Sequence, residues 1–569
     1  MLLQILISLL LFFGVVGGLA WPLATRLALT TAERICASVV LSLLAVYLFA
    51  GIVYVGVLPA GLFWTLPALA IFGVALRARE VAEVWRDADA RALVLGQVIV
   101  TTWSVGWLAT VISYSGGGWA GDWVEHWGRA RFFLDHLPLD HKFLGAYTLP
   151  ARPPLANLVT AAFLALTRAD FAHYQLFSTA FSSLVFLPGA LLARRFAPDA
   201  TVIPVCALLF MVNPLFVENA TFAWTKLPAA LFILAGLYFF LRAQAPTAPL
   251  AVSLLCALAL GGGLLAHYSA GPYVVLLAAS WLALGWRHRR AAPWWRTTVL
   301  AATAGAVVLA TWFGWSLHAY GLRETLGANS SVTEVAAQPG NQGTKILLNL
   351  RDTLVPHFLR PLDRGLIAQR SPWGWWRDWF FQSYQLNLWF AFGSVAALAM
   401  VRELVRAARA AAPRDRRFWS AFIVGIVLLG VGTHGARDTW GLTHICLQAL
   451  VLLGLAFLAA RWPGLGRGWR LALIAGATVD LTLGIVLNFG VQSYALDTWL
   501  APGRPAVEIL TSYSAPAVMN LQGKVANHFT FLADGLVDVA WLAPALLALT
   551  LAASIAWIRR RAGAPRPAV

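Results

Sequence analysis

Charged residues are scarce in this chain. Only 12% of its 569 residues are Asp, Glu, Lys or Arg, whereas 60% are hydrophobic and the mean hydropathy is +0.71. A soluble globular domain carries about 25% charged residues, so the composition excludes a water-soluble enzyme and predicts a chain that lies largely in lipid. We assign the net charge of +17 to contacts with anionic lipid headgroups and not to nucleic acid.

Cysteine is also rare, and its positions exclude two kinds of site. The four residues, Cys36, Cys206, Cys256 and Cys446, lie in or at the edges of apolar segments, and no Cys-x-x-Cys motif is present. The pattern therefore argues against a disulfide framework and against a cysteine-based zinc site. We expect all four to be small buried hydrophobes.

Long apolar segments are what the chain has in abundance. A helix of about 20 apolar residues spans a bilayer, and the sequence predicts an all-α polytopic protein with about 12–15 transmembrane helices. The first segment lacks a basic n-region and a small-residue cleavage site, so we expect it to be retained. Fifteen segments qualify: 1–20, 36–57, 60–77, 92–114, 174–195, 200–216, 224–242, 249–266, 268–286, 297–316, 384–402, 417–433, 440–460, 470–489 and 537–558.

Arginine predicts the orientation, because cytoplasmic loops are enriched in Lys and Arg. Alternate loops carry the basic residues, including Arg77, Arg194, Arg287, Arg402 and the tail Arg559 to Arg561. This places the N-terminus outside and the C-terminus inside. We divide the chain into N-terminal helices 1–91, a membrane core 92–402 with outer loops 115–173 and 317–383, and C-terminal helices 403–569 with outer loop 490–536.

Lysine is almost absent. The chain has four lysines against 38 arginines, and all four, Lys142, Lys226, Lys345 and Lys524, fall on the predicted outer side. Lysine is a compact point charge that suits phosphate. The placement favours a phosphate-binding role for at least one of them, while a general preference for arginine is the alternative.

The first outer loop opens with a polar run, GDWVEHWGRARFF. On a helix, Asp122, Glu125, His126 and Arg129 share one face, because residues three and four apart stack. The pattern predicts an amphipathic helix in the headgroup layer, with its tryptophans in lipid and its acidic face in water. Ionisable groups at a membrane edge indicate a functional site, and a plain surface anchor is the alternative.

A second motif follows in the same loop, Arg152-Pro153-Pro154-Leu155. The two prolines that follow the arginine fix the backbone and favour an extended conformation at Arg152, and a guanidinium binds phosphate through two parallel hydrogen bonds. Breaking a sugar–phosphate bond requires positive charge on the leaving phosphate and a carboxylate that deprotonates the acceptor. The alternative is that the prolines only begin the next helix.

The order of these features, from a span through an acidic outer helix to Tyr147 and Arg-Pro-Pro-Leu, resembles the C-superfamily (GT-C) of membrane glycosyltransferases. The nearest branch is family 39, with the protein O-mannosyltransferases and the lipid A aminoarabinose transferases. The resemblance covers residues 92–320 well and the rest by layout. It implies a GT-C-type bundle with interfacial helices, in the inner membrane of a bacterium, that transfers a sugar with inversion from a polyprenyl phosphate on the outer face.

The resemblance also implies residue roles. Asp122 maps onto the catalytic carboxylate, and since the family often has two adjacent acids there, Glu125 is the other candidate base. Arg152 maps onto the donor phosphate site, which we extend to Lys226, His267 and Tyr268. Four residues are expected around the substrate: His126, Arg129, Tyr147 and Glu218. No metal site is predicted, although a divalent cation between Asp122 and Glu218 is left open.

Other polar residues receive structural interpretations. Asp480 lies mid-span, where we expect it to be paired, protonated or hydrogen-bonded to a neighbouring helix. The tryptophans at 373, 375, 376 and 379 are typical of an interfacial aromatic belt, with a cover over a lipid groove as the alternative. His434, Arg437 and Asp438 form a short outer turn that is a candidate contact for the pyrophosphate or the acceptor. Residues 490–536 form a polar loop that suits a lid.

Two other functions compete with glycosyl transfer. A transporter or flippase of polyprenyl-linked sugars predicts charges along a path through the bundle or broken helices at its midplane, whereas here the acids gather at one edge. An enzyme similar to O-antigen ligases would place its main Arg and His residues in a late loop. The sequence does not specify the sugar or whether the acceptor is a glycan, a lipid or a protein.

Overall fold

A computed structural model of the chain describes residues 2–109, 122–143, 147–244, 248–287, 292–328, 342–356, 359–360, 384–434, 441–486 and 539–562. Within these ranges the regular structure is helical, apart from one isolated bridge between Phe143 and Tyr147. The result agrees with the all-α prediction.

The helices of the first half are α1 (Leu2–Gly18), α2 (Trp21–Ala24), α3 (Thr31–Val55), α4 (Thr65–Leu76), α5 (Ala78–Arg86), α6 (Ala88–Leu108), α7 (Asp122–Leu134), α8 (Leu155–Leu166), α9 (Phe171–Ser183), α10 (Phe186–Phe196), α11 (Val202–Val212), α12 (Pro214–Thr221), α13 (Lys226–Ala243) and α14 (Leu250–Ala266). The helices of the second half are α15 (Gly271–Arg287), α16 (Ala292–Gly327), α17 (Gln342–Leu354), α18 (Leu388–Ala391), α19 (Ala396–Ala410), α20 (Pro413–Gly432), α21 (Gln448–Arg461), α22 (Arg467–Ile485) and α23 (Val539–Ala562).

The described helices make this a polytopic membrane protein. Within the described residues, ten helical stretches are long and apolar enough to cross a bilayer, or up to twelve if each of two bent helix pairs forms one span. Twelve is the lower end of the predicted range of about 12–15, and only the described residues are counted. Many leucines and isoleucines on the outer helices are exposed, for example Leu10 and Ile71, as expected for side chains that contact lipid.

Three predicted segments are corrected by the structure. Segment 384–402 is not one helix but is broken between α18 and α19, and the segment predicted at 200–216 bends by 68° between α11 and α12. The outer loop 115–173 contains α8, a mainly apolar helix whose twelve residues are almost all buried. A 12-residue helix is about 18 Å long, too short to span, so a search for long apolar runs passes over it.

The break before α19 explains why Asp480 is tolerated within the apolar α22. Its carboxylate accepts hydrogen bonds from the Tyr384 hydroxyl and, at 2.9 Å, from the backbone N–H of Ser394. A side chain at Gly393, where φ is +108°, would meet the same carboxylate at 3.0 Å. The expected structural role of Asp480 is therefore confirmed, because it satisfies backbone and hydroxyl donors where the helix is interrupted.

Polar contacts join the loops into two groups, which lie at opposite ends of the bundle. Contacts at the basic end are Arg34–Glu83, Arg194–Asp89, Arg242–Glu33 and Arg461–Glu403. Contacts at the other end, the site end, are Thr148–Glu324, Tyr320–Leu139, Tyr268–Pro150 and Lys345–His434. Each pair connects two segments that the arginine pattern assigned to the same side of the membrane.

These contacts also show that the short helix α14 crosses the bundle. Arg242, at the end of α13, pairs with Glu33 at the basic end. Tyr268, two residues after α14, donates to the Pro150 carbonyl at the site end. A 17-residue helix extends about 25 Å, which is enough for the chain to pass from one group of contacts to the other.

Candidate functional site

Helix α7 turns its polar face into the protein. Glu125, His126 and Arg129 are 2%, 4% and 1% exposed, and α7 packs against the buried helix α8. The expectation that this face lies in water is therefore wrong. A polar face is compatible with either water or a buried set of partners, and here the partners come from residues 148–157, which are close in sequence but do not share the helical period.

Glu125 is held by two arginines. Its Oε1 lies 2.7 Å from Nη2 of Arg129, and its Oε2 lies 3.6 Å from Nη2 of Arg152. Arg129 also donates to the carbonyls of Leu149 at 2.7 Å and Thr148 at 3.1 Å. The guanidinium thus fixes the 3₁₀ turn Leu149–Ala151 that leads directly into Arg152.

The geometry of Arg152 follows from the prolines after it. The backbone is extended, with φ −132° and ψ 140°, and Pro154 occupies the N-cap of α8, so the prolines also serve to begin that helix. The guanidinium carbon lies 5.6 Å from the centroid of the Tyr147 ring, and the side chain is 14% exposed. Arg152 and Tyr147 therefore lie together.

His267 and Tyr268 reach the same place from another helix. The Tyr268 hydroxyl donates to the Pro150 carbonyl at 3.0 Å, and Nδ1 of His267 accepts the backbone N–H of Ser269 at 3.1 Å. Both side chains are half-buried. The turn after α14 is thereby attached to the turn that carries Arg152.

Lys226, the first residue of α13, is 6% exposed, and its Nζ lies 3.6 Å from the ring centroid of Trp224. Trp224 in turn contacts Phe222 and His444. The turn contains Ala223 at φ +60°, a left-handed conformation that costs a non-glycine residue about 1–2 kcal/mol. Packing of the aromatic side chains around Lys226 offsets this cost.

The electrostatic potential at the site is positive. Burial and the charges of Arg152, Arg129 and Lys226 lower the pKa of His126 well below its usual value, against the effect of its hydrogen bond with Asn157. Burial and the charges of Lys226 and Arg152 likewise lower the pKa of His267. Both imidazoles are therefore neutral at pH 7.

Arg129 keeps its charge at neutral pH. Burial lowers the pKa of Arg129 to about 10, although Glu125 opposes this shift. At neutral pH the guanidinium is still protonated.

Nδ1 of His126 is buried without a hydrogen-bond partner among the described residues. A buried polar atom without a partner is costly, so an additional donor or acceptor from a ligand would be stabilising there.

Glu218 belongs to a different polar group. Gln385 donates to its carboxylate at 3.4 Å, and a chain of side-chain amides continues through Asn219 to Gln448. The amides connect α12, the segment before α18 and α21. The expected place of Glu218 beside the substrate stays a prediction.

Several residues of the site were not predicted from the sequence. Asn157 binds His126, Trp224 holds Lys226, and the Thr148 and Leu149 carbonyls bind Arg129. Each lies within five residues of a predicted member, so proximity to the motifs was the available signal. The amides Gln385 and Gln448 were indicated only by being polar residues in apolar segments.

Some predicted features fall outside the described structure. Asp122 begins α7, but its side chain is among those left undescribed. Residues 361–383, with the four tryptophans, residues 487–538, with the second outer loop, and Arg437 with Asp438 are also outside the described ranges. Within those ranges, no three His, Cys, Asp or Glu side chains form a group that could hold a metal ion. A cation at Asp122 and Glu218 stays untested.

The chain was compared with known proteins. No protein-family model and no curated protein sequence matches it. Two solved structures are similar, ArnT from Cupriavidus metallidurans bound to undecaprenyl phosphate and the same protein in the apo state. The identity is 17% for both, with TM-scores of 0.46 and 0.45, over 82% of this chain and 76% of ArnT. A resemblance of this size carries no function from one chain to the other.

Proposed function

We propose that this protein is an inverting glycosyltransferase with a GT-C-type fold that moves a sugar from a polyprenyl-phosphate donor to an envelope acceptor. The observation that carries the proposal is the convergence of Arg152 and Lys226 with the buried Glu125–Arg129 pair at one end of the bundle. Clustered cations beside membrane-spanning helices suit a lipid phosphate, whose chain lies in the bilayer while its headgroup reaches the interface.

Glycosyl transfer from a lipid phosphate requires positive charge beside the leaving phosphate. When the acceptor oxygen bonds to the anomeric carbon, the bond from that carbon to the phosphate oxygen breaks, and the phosphate passes from one negative charge to two. Cations fixed before the reaction stabilise charge that develops in the transition state. We assign this role to Arg152 and Lys226, with His267 and Tyr268 as further phosphate-binding groups.

The acceptor must lose a proton during the same step. Glu125 is engaged by Arg129 and Arg152, and a carboxylate shared between two guanidinium groups is a poor base. We therefore assign Glu125 to holding the arginines and Asp122, one turn earlier on α7, to accepting the proton from the acceptor. His126, Arg129 and Tyr147 then support the substrate site.

The proposed location is the cytoplasmic membrane of a bacterium, with the site end facing outside. The arginines at the basic end support this orientation through the positive-inside rule. The acceptor is a glycan, a lipid or a protein of the cell envelope. A flippase is less favoured, because the deep carboxylate of Asp480 is taken up by Tyr384 and Ser394 and does not line a path.

The test is binding of undecaprenyl phosphate, the lipid named in the ArnT structure, to protein in lipid nanodiscs. Wild-type protein should bind it, and Arg152→Ala should bind it about 10–100-fold more weakly, the equivalent of a charged hydrogen bond worth about 1.5–3 kcal/mol. Arg152→Lys should recover part of the affinity, since a point charge remains without the planar fork.

Arg402→Ala is the matched control, because Arg402 also contacts a buried carboxylate but lies at the basic end. It should bind the lipid as wild type does. Full affinity in a stable Arg152→Ala protein would show that the Arg-Pro-Pro-Leu motif only begins helix α8. Equal losses in Arg152→Ala and Arg402→Ala would indicate a non-specific effect of charge.

A further inference from the structure

We propose that His267 is fixed by the backbone of Ser269 as an uncharged hydrogen-bond donor, and that its Nε2–H binds a phosphate oxygen of the donor lipid. The inference rests on the proposed function and adds to it which proton the imidazole carries and what that proton does. It also excludes His267 as the acid or base of the reaction.

The protonation state follows from one hydrogen bond. The backbone N–H of Ser269 points at Nδ1 of His267 at a distance of 3.1 Å, where the imidazole caps the short turn Tyr268–Ala270. A backbone amide only donates, so Nδ1 must present its lone pair. In a neutral imidazole the proton then resides on Nε2, and a charged imidazole would have to break the cap.

The surroundings favour the same state and supply a ligand for the free proton. The charged groups with the largest electrostatic effect on His267 are Lys226 and Arg152. Two cations oppose protonation of the ring and attract an anion to it. The residue is half-buried, and among the described residues the structure gives Nε2 no protein partner.

A neutral hydrogen-bond donor has an advantage over a further cation in this site. It contributes a hydrogen bond to phosphate without adding to the repulsion between Arg152 and Lys226. Histidine usually changes charge between pH 5 and 8, whereas a capped imidazole beside two cations keeps one state. The affinity for the donor lipid should therefore not follow the titration of His267 in this range.

Two substitutions separate donation from capping. In His267→Asn the amide oxygen can take the place of Nδ1, so the cap on Ser269 is kept while the distal donor is lost. In His267→Gln the amide N–H can take the place of Nε2–H, so the donor is kept while the cap is weakened. Undecaprenyl phosphate in nanodiscs is the probe, and wild-type binding is measured first.

We expect His267→Gln to bind within about threefold of wild type and His267→Asn to bind about 10–100-fold more weakly, the range for one hydrogen bond to a charged group. The reverse order would make His267 a cap with no contact to the phosphate. Equal binding by all three proteins would likewise overturn the inference. Failure of wild-type protein to bind the lipid would instead overturn the proposed function.

A second measurement does not depend on the ligand. In ¹⁵N-histidine-labelled protein, the resonances lost in His267→Asn identify the ring nitrogens of His267. Their chemical shifts should be those of a neutral imidazole protonated on Nε2, unchanged between pH about 6 and about 8. Protonation on Nδ1, or a titration within that range, would contradict the inference whatever the lipid affinities of the variants.

Discussion

Glu125 and Glu403 lie at opposite ends of the bundle, and each is a buried carboxylate among arginines. Glu125 is 2% exposed and pairs with Arg129 and Arg152, while Glu403 is 1% exposed and pairs with Arg402, Arg406 and Arg461. The distances are alike, from 2.6 to 3.6 Å. The two clusters nevertheless differ in where the arginines point.

At Glu403 the three arginine side chains are 34%, 49% and 41% exposed. They extend toward the surface, where we expect headgroups and water to solvate them. The Glu403 carboxylate forms ion pairs with all three. At Glu125 the arginine side chains are 1% and 14% exposed. The charge of Lys226, like those of the two arginines, lowers the pKa of His126. One cluster presents its arginines at the surface, and the other holds positive charge inside the protein.

The first test of the difference between the two ends is their orientation in the membrane. The expected labelling is all or none. Asp140 is an exposed residue at the site end and Ala412 an exposed residue at the basic end. In intact cells, an impermeant thiol reagent should label Asp140→Cys and not Ala412→Cys. The wild-type chain is the blank, because its four cysteines are buried. Labelling of Ala412→Cys alone would invert the orientation and remove the outer donor site.

The second test concerns Asp122. Because Glu125 pairs with two arginines, Asp122 is the proposed base at the site end. Asp122→Asn preserves shape but removes the proton acceptor, and should slow sugar transfer by about 10²–10⁴-fold, the usual share of acid–base catalysis. Binding of undecaprenyl phosphate should stay near wild type. Single-turnover transfer and lipid binding measured on the same preparation separate the two effects.

Glu125→Gln in the same assay should lower binding more than the chemical step, since Arg152 loses its carboxylate. If Asp122→Asn transfers sugar at the wild-type rate while Glu125→Gln binds donor but does not react, the base is Glu125. If neither change alters transfer, glycosyl transfer by this site is refuted.

The sequence predicted the membrane class, most of the spans and the members of the arginine motif, because each rests on a local pattern. Apolar length identifies a span, and two prolines after Arg152 predict its extended backbone. It did not predict that α7 faces inward, since the partners of Glu125 and Arg129 lie 19 to 27 positions along the chain. The interruption of segment 384–402 depends on Asp480, which is about 90 positions away.

Stability sharpens the comparison in a third way. Glu125→Gln removes the carboxylate that pairs with the buried Arg129 and the nearly buried Arg152. Removing one partner of a buried pair costs about 3–5 kcal/mol. The free energy of unfolding, measured by SDS titration of protein in detergent micelles, should fall by an amount in that range. A loss below about 1 kcal/mol would mean that water or lipid already neutralises these arginines.

Glu403→Gln is the matched change at the basic end, and its effect should be the smallest. The three arginines that it releases are each more than a third exposed, so they can turn to water or to anionic headgroups, and exposed ion pairs contribute about 0–1 kcal/mol. A neutral amide is also less costly to bury than a carboxylate. In the same SDS titration we expect a loss of about 1 kcal/mol or less. A loss as large as that of Glu125→Gln would show that burial of the arginines does not distinguish the two ends.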